Sequence, residues 1–153
     1  MNEVLEFLQD CKSFFIATTI DGKPKVRPFG FIMKYEEKLY FVTGNQKPFF
    51  KQIQENPEIE ICGMNKKMEW VRLNGKAVVD PRLEVKQKAF ETSPRLIHTN
   101  KTADSPVIEC FYIDEGEASF FTMKVLCQVV GSKNAETLMQ SSIVLVFSVF
   151  QNF

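Results

Sequence analysis

The stretch that decides the fold is F-F-I-A-T-T-I-D-G-K-P-K-V-R-P-F-G-F, Phe14 to Phe31. It opens with an aromatic and β-branched run that predicts a strand, followed by an Asp-Gly pair that is typical of a tight hairpin turn. The chain is expected to return over Lys25–Tyr35, which indicates an antiparallel β protein. Arg27 and Pro28 interrupt this returning strand, since proline has no N–H to donate to a neighbour.

Short turns join the remaining β-rich runs, and seven strands are predicted in all. The clearest is Met68–Val79, whose residues alternate between an apolar face and a face that carries Trp70 and Arg72. Antiparallel strands with short connections favour a small closed or half-closed barrel with flanking helices over a parallel α/β sheet. The predicted strands cover residues 14–20, 25–35, 39–43, 59–64, 68–79, 107–113 and 118–123.

Three helices are expected to flank the strands. The first covers residues 2–11, with Asn2 as its cap, and the third covers residues 81–92 with Leu83, Ala89 and Phe90 inward. The second begins near Pro48, because proline fits the first turn of a helix, and ends at Asn56-Pro57. Its predicted buried side chains are Phe49, Phe50 and Ile53.

Composition indicates one domain and excludes several classes of function. The chain has 153 residues with 44% apolar composition, and its 19 basic residues balance 19 acidic ones, so it lacks the charge excess of a nucleic-acid binder. The four cysteines form no C-x-x-C pair, and His98 is the one histidine, so no zinc set is predicted. The N-terminal residues do not resemble a signal peptide, and the longest apolar run is too short to cross a bilayer. We therefore expect a cytoplasmic protein with no membrane or nucleic-acid partner.

An anion site is predicted where the strand that ends at Thr43 meets the second helix. Gly44 permits a tight turn there, and the helix start directs N–H groups and the positive end of its dipole at a bound anion. A hairpin turn at 36–38 would place residue 27 opposite residue 47 and residue 31 opposite residue 43. Arg27, Thr43 and Lys47 would then converge as a site for a phosphate monoester. The alternative is that each charge is merely solvated, or that Arg27 pairs with Asp21 or Glu36.

The other unusual residues fit a flat ligand beside this phosphate. Pro28 leaves one side of its strand unpaired, and Gly30 allows a ligand to approach the main chain. Trp70 and Arg72 share a strand face and suit contact with an aromatic ring system. Taken alone, the two residues are better explained by a dimer interface or a surface pair, and both explanations hold if the ligand lies at the dimer interface. His98, in a polar loop, is either exposed or reaches the ligand pocket.

Four motifs together resemble the pyridoxamine 5′-phosphate oxidase-like superfamily of FMN-binding split barrels. They are V-R-P-F-G-F, L-Y-F-V-T-G-N-Q-K-P, N-P-E-I-E-I-C and E-W-V-R-L-N-G-K-A, and their order is similar to that in the small flavoproteins related to nitroimidazole-resistance (Nim) proteins. The resemblance covers residues 1–123, which are predicted to form the split-barrel domain. Residues 124–153 are assigned to a C-terminal extension, which either packs on the barrel or is dispensable.

The resemblance implies a homodimer that binds FMN between its subunits. By position, Arg27, Thr43 and Lys47 would hold the FMN phosphate, and the main chain of Pro28, Phe29 and Gly30 would lie along the flavin. Trp70 and Arg72 would reach the flavin from the other subunit.

The resemblance further implies an FMN-dependent oxidoreductase that acts on a small molecule such as a nitroaromatic. No arginine follows Arg95, although the name-giving enzymes hold their substrate with basic residues near the C-terminus, so a true pyridoxamine phosphate oxidase is not expected. The alternative is a protein of the same fold that holds a flavin or haem without turnover. A haem would need an axial ligand, for which His98 is the obvious candidate.

Overall fold

The computed structural model describes residues 1–93, 95–96 and 102–122, together with the backbone of 145–148. Three helices and eight strands lie in these ranges. The helices are α1 (Asn2–Asp10), α2 (Pro48–Glu55) and α3 (Leu83–Thr92). The strands are β1 (Phe14–Ile20), β2 (Lys23–Phe29), β3 (Met33–Tyr35), β4 (Lys38–Gly44), β5 (Glu58–Met64), β6 (Glu69–Asp80), β7 (Ile108–Thr122) and β8 (Leu145–Ser148).

One antiparallel sheet contains all the described strands, in the order β2-β1-β5-β6-β7-β4-β3, with β8 paired to β7. The two ends of this order, β2 and β3, are consecutive in the chain and are separated by residues 30–32 alone. Three residues span at most about 11 Å, so the two edges of the sheet must lie close together. The sheet therefore curls into a barrel that is split between β2 and β3, which confirms the predicted split-barrel fold.

The interior of the barrel follows from the alternation of β6. Val71, Leu73 and Ala77 are buried, whereas Arg72 and Asn74 on the other face are exposed. Helices α1 and α2 cover the same core with Val4, Leu8, Phe49 and Ile53, which belong to one cluster with Ile16 and Phe111. Burial of a side chain of this size contributes about 1.5–3 kcal/mol to the free energy of folding relative to exposure. Burial of the apolar face is therefore the main contribution that stabilises the sheet.

The predicted strand over Lys25–Tyr35 is two strands. β2 pairs with β1, where Arg27 lies opposite Ile16, and residues 30–32 then carry the chain to β3. β3 pairs with β4, but Met33 lies opposite Tyr40 where the predicted register placed Phe41. The prediction that residue 27 pairs with residue 47 was wrong, because the chain changes partner at the break and β2 remains an edge strand.

The last two predicted strands form one continuous strand, β7. The acidic turn that was expected between them is instead a local irregularity in the pairing of β7 with β6. Opposite this point, the pairing of β6 with β7 shifts its register between Asn74 and Lys76 of β6, and Glu115 of β7 has a φ of 50°. Gly75 has a φ of 153°, and a Cβ on it would lie 2.6 Å from the side chain of Ile113. A β-bulge therefore absorbs the acidic segment, and Gly75 is required because the two strands approach closely there.

Two smaller expectations about the helices also change. Leu83, the first residue of α3, is 48% exposed, and Phe90 is half-buried. Ala89 is buried as predicted, together with Val85. In α1 the cap is Met1 rather than Asn2. None of the described helices has the length and apolar character that a membrane span requires.

The C-terminal extension is described only where β8 pairs with β7. Ser148 lies opposite Glu117, and Leu145 lies opposite Phe120. The backbone of this segment thus adds a strand to the sheet. The rest of 124–153 lies outside the described residues, so the predicted boundary after Met123 stays a prediction.

Candidate functional site

A cavity of about 360 Å³ lies where β2, β4 and α2 meet. This volume is within the range of small-molecule sites. Six of the eight residues predicted from sequence line it, namely Arg27, Pro28, Phe29, Gly30, Thr43 and Lys47; Phe31, Val42 and Phe49 complete its wall. The three residues that were predicted to hold a phosphate therefore do converge on one cavity, although the hairpin register from which this was inferred is not present.

Arg27 is held in this cavity by neutral groups. Its Nη1 donates to the carbonyl oxygen of Ile16 at 3.0 Å, and its Nη2 donates to Oε1 of Gln52 at 2.6 Å. The guanidinium also lies 5.1 Å from the ring centroid of Phe49, at cation–π distance. Burial lowers the pKa of Arg27, but an arginine retains its charge in proteins. The cavity thus contains a fixed positive charge.

No carboxylate in the described part of the chain pairs with Arg27. Neither Asp21 nor Glu36, the two alternative partners considered from sequence, forms an ion pair with it. Glu36 pairs with Arg82 instead. Lys47 is exposed at the N-cap of α2 and likewise forms no ion pair among the described residues. Two cations without a compensating acid favour an anionic ligand.

Gln52 is a site residue that sequence reasoning missed. It is 8% exposed, and its Oε1 accepts hydrogen bonds from both Arg27 and Thr18, each at 2.6 Å. A signal was available, because Gln52 follows Phe49 by three residues and lies between apolar positions on the buried face of α2. A buried polar residue in such a stripe needs a partner, and here the partner is the arginine.

Thr43 lacks a hydrogen-bond partner for its side chain. Its residue is 4% exposed, and its Oγ1 is a buried oxygen without a partner among the described residues. Leaving a hydroxyl buried and unpaired costs about 1–3 kcal/mol, so such a group requires an explanation. A ligand oxygen in the cavity would supply the missing bond.

The start of α2 completes the anion-binding character of the cavity. Pro48 occupies the first turn, Lys47 has an extended backbone, and no side chain caps the helix. The first N–H groups of a helix have no partner within it, and together with the helix dipole they attract an anion. The arrangement of helix start, Arg27, Thr43 and Lys47 is suited to a phosphate monoester.

Trp70 and Arg72 do not line this cavity. Both lie on the outer face of β6, where Trp70 stacks on Phe121 with 5.1 Å between ring centroids and Arg72 pairs with Glu60. In one chain, strands β5 and β1 lie between these two residues and Pro28 in the sheet. These two residues therefore do not contribute to the cavity of their own chain.

The described residues contain no metal site. No group of three or more His, Cys, Asp or Glu side chains is arranged to hold a metal within them. Cys11, Cys62 and Cys110 are free thiols, and burial is the main cause of the raised pKa of each. Cys127 and His98, which was considered as a ligand-pocket residue, lie outside the described residues.

Comparison with known proteins agrees with the fold. The family model for pyridoxamine 5′-phosphate oxidase matches residues 1–108. The chain belongs to this family. A NimC/NimA family protein from Clostridium acetobutylicum is 42% identical, with a TM-score of 0.78 over 81% of this chain and 88% of that one. The predicted resemblance to Nim-related proteins is thereby confirmed.

More distant structures share the fold alone. A pyridoxamine 5′-phosphate oxidase-related, FMN-binding protein from Nostoc punctiforme is 18% identical and covers 80% of this chain and 83% of that chain, with a TM-score of 0.60. HutZ, the haem storage protein from Vibrio cholerae, is 16% identical and covers 74% and 87%, with a TM-score of 0.59. A comparison with curated proteins found no match.

Proposed function

We propose that this chain binds FMN in the cavity beside Arg27 and acts as an FMN-dependent oxidoreductase on a small molecule such as a nitroaromatic. The observation that carries the proposal concerns two groups beside the start of α2. Among the described residues, the charge of Arg27 has no carboxylate partner and the Thr43 hydroxyl has no hydrogen-bond partner. These groups satisfy the needs of a phosphate monoester, which has several acceptor oxygens and a double negative charge.

The residues present fit each part of FMN. Arg27, Thr43 and Lys47 would hold the phosphate, while the main chain of Pro28, Phe29 and Gly30 would lie along the flavin. Residues 30–32 belong to neither strand, which leaves backbone available beside the cavity. When bound, the flavin supplies the electron-transfer chemistry, and the protein supplies binding and orientation.

The same proposal includes a homodimer. Phe15, Met64 and Met68 are each 50% exposed on or beside the outer face that carries Trp70 and Arg72. Phe15 lies opposite Pro28 on one side and Cys62 on the other, and Cys62 lies opposite Arg72. The surface that consists of Phe15, Cys62, Met64, Met68, Trp70 and Arg72 is called the outer face below. It adjoins the cavity at Pro28, which lies opposite Phe15. A second copy packed on it would bury the face and bring Trp70 and Arg72 to the partner's cavity.

The proposed substrate is not a vitamin B6 phosphate. The four arginines are Arg27, Arg72, Arg82 and Arg95, and none lies in the C-terminal third of the chain. Arg82 is engaged by Asp80, Glu36 and Glu84, so it is not free for a substrate. We favour a small acceptor that needs no dedicated phosphate clamp of its own.

Titration of the ligand-free protein with FMN and with riboflavin tests the proposal. FMN is expected to bind at least about a hundredfold more tightly, because riboflavin lacks the phosphate that Arg27, Thr43 and Lys47 would hold. Equal affinity for the two flavins would refute the phosphate site. The visible spectrum of the purified protein tests the alternative: flavin bands support the proposal, and a Soret band would assign the chain to haem binding instead.

A further inference from the structure

A second cavity of about 370 Å³ lies directly beside the first. Gly30 and Phe31 line both cavities, so the two meet at the segment that joins β2 to β3. The second cavity extends from there towards the C-terminal ends of α1 and α3. Its wall consists of Leu8, Gln9, Lys12, Gly30, Phe31, Ile32, Thr92, Ser93 and Arg95.

Among the described residues that line this second cavity there are two cations and no acid. Lys12 and Arg95 are exposed, and neither forms an ion pair with any described residue. By contrast, Arg72 and Arg82 on the same molecule are engaged by carboxylates. Of the four arginines, Arg27 and Arg95 are therefore the two that have no carboxylate partner among the described residues, and each lines one of the two cavities. Gln9, Thr92 and Ser93 add polar side chains to the same wall.

Local structure places both cations at this position. Lys12 follows α1 with a φ of 61°, a conformation that L-residues rarely adopt, and its N–H donates to the carbonyl of Gln9 at 3.2 Å. Its own carbonyl packs against Gly30, where a Cβ would lie 3.4 Å away. Arg95 follows α3 by three residues and has a helical backbone, and the N–H of the next residue, Leu96, donates to the Ser93 carbonyl at 3.0 Å.

We propose that the second cavity binds the carboxylate or phosphate of an anionic small molecule whose other end reaches the cofactor cavity at Gly30. This inference rests on the proposed function, because it assigns the substrate class of the same site. Lys12 and Arg95 neutralise the anionic group, and the shared wall at Gly30 and Phe31 lets the rest of the molecule enter the first cavity. Two cations at one cavity without an internal acid select an anion over a neutral molecule of the same shape.

Calorimetric titration of the FMN-loaded protein tests this proposal without any measurement of turnover. The probes are 4-nitrobenzoate, its neutral analogue 4-nitrobenzamide, and inorganic pyrophosphate. We expect at least one anion to bind about tenfold more tightly than the amide, as expected for charge-assisted contacts. The tighter anion identifies whether the site takes a carboxylate or a phosphate. Affinities of both anions no higher than that of the amide would overturn the proposal.

Variants then assign the anion to the second cavity. Lys12→Asn, which suits the positive φ, combined with Arg95→Gln is expected to reduce the preference for the anion to less than about threefold. The FMN affinity of this variant should stay within about threefold of the wild type, which also shows that it is folded. Lys66→Gln, an exposed charge in the β5–β6 turn, is the matched control and should keep the full preference. A preference that survives in the double variant would refute the assignment.

The experiment separates this inference from the proposed function. If the wild type does not bind FMN, the proposed function fails, and the same anion titrations on the ligand-free protein still test the second cavity. In that case Arg27→Gln should leave the anion affinity unchanged, whereas the variant of Lys12 and Arg95 should lose it. The opposite pattern would place the anion in the first cavity and overturn the inference.

Discussion

The Nη2 of Arg27 lies 2.6 Å from Oε1 of Gln52, so the buried face of α2 holds the charge that faces the first cavity. Because Gln52 is neutral, it orients the guanidinium without cancelling its charge. Gln52 also accepts a hydrogen bond from Thr18, which connects β1, β2 and α2 at one oxygen. A charge fixed in this way is ready to bind an anion with little reorganisation.

The first prediction concerns Arg27 itself. Arg27→Ala should weaken FMN binding about tenfold to a hundredfold, the equivalent of about 1.5–3 kcal/mol for a charge-assisted contact. Quenching of flavin fluorescence on binding measures the affinity. Lys25→Ala removes an exposed charge from the same strand and should leave binding unchanged. If the two variants bind FMN equally well, Arg27 is not in the site.

The second prediction concerns the neutrality of Gln52. Gln52→Glu keeps the shape of the side chain but places a carboxylate against Arg27, so FMN affinity should fall by about tenfold or more. Stability at neutral pH should stay within about 1 kcal/mol of the wild type, since Arg27 pairs with the new charge. Gln54→Glu makes the same change on the exposed side of α2 and is the control. An equal loss of affinity in both variants would indicate a general charge effect.

The third prediction concerns the partnerless hydroxyl of Thr43. Thr43→Val should leave the ligand-free protein as stable as the wild type or more stable, because it removes a buried oxygen that has no partner. The same change should weaken FMN binding by about 1 kcal/mol. Thr18→Val is the matched comparison and should lose stability, because it breaks the hydrogen bond to Gln52. Urea unfolding and FMN titration of both variants provide the measurements, and unchanged FMN affinity in Thr43→Val would contradict the prediction.

The fourth prediction concerns the outer face. Phe15→Glu should convert the proposed dimer into a monomer and weaken FMN binding, because the partner's Trp70 and Arg72 would no longer reach the cavity. Sedimentation velocity and FMN titration together test this expectation. Thr19→Glu adds the same charge near the end of β1 and should retain the dimer. A wild-type monomer with full FMN affinity would contradict the proposed assembly.

The fifth prediction concerns the C-terminal extension. Truncation after Met123 removes β8 and exposes the edge of β7 between Glu117 and Phe120. We expect a loss of about 1–3 kcal/mol of stability, or lower solubility, because the backbone groups of this edge lose their partners. The folded fraction should still bind FMN, since all the described residues that line the first cavity lie between Arg27 and Phe49. A folded truncation that no longer binds FMN would place the extension in the site.

Local patterns in the sequence were sufficient for several of the separate elements. The run from Phe14 to Ile20 forms β1 as predicted, and the signals at Pro48 and Asn56 bound α2. The alternation over β6 separates buried from exposed residues as expected. These features depend on neighbours within a few residues of each other, so the order of amino acids determines them directly.

Tertiary structure alone decided how these elements meet. The partner change at residues 30–32 moved Arg27 from the predicted hairpin with β4 to a ladder with β1, yet the curl of the sheet still brought Thr43 to the same cavity. Gln52 reaches Arg27 across 25 positions of sequence, and the two halves of β7 merge through a bulge opposite Gly75. Pairings of this kind depend on register and on side-chain contacts between distant segments, and a local pattern does not specify them. The sequence determined which groups are available to bind an anion, and the closure of the split barrel determined that they face one cavity.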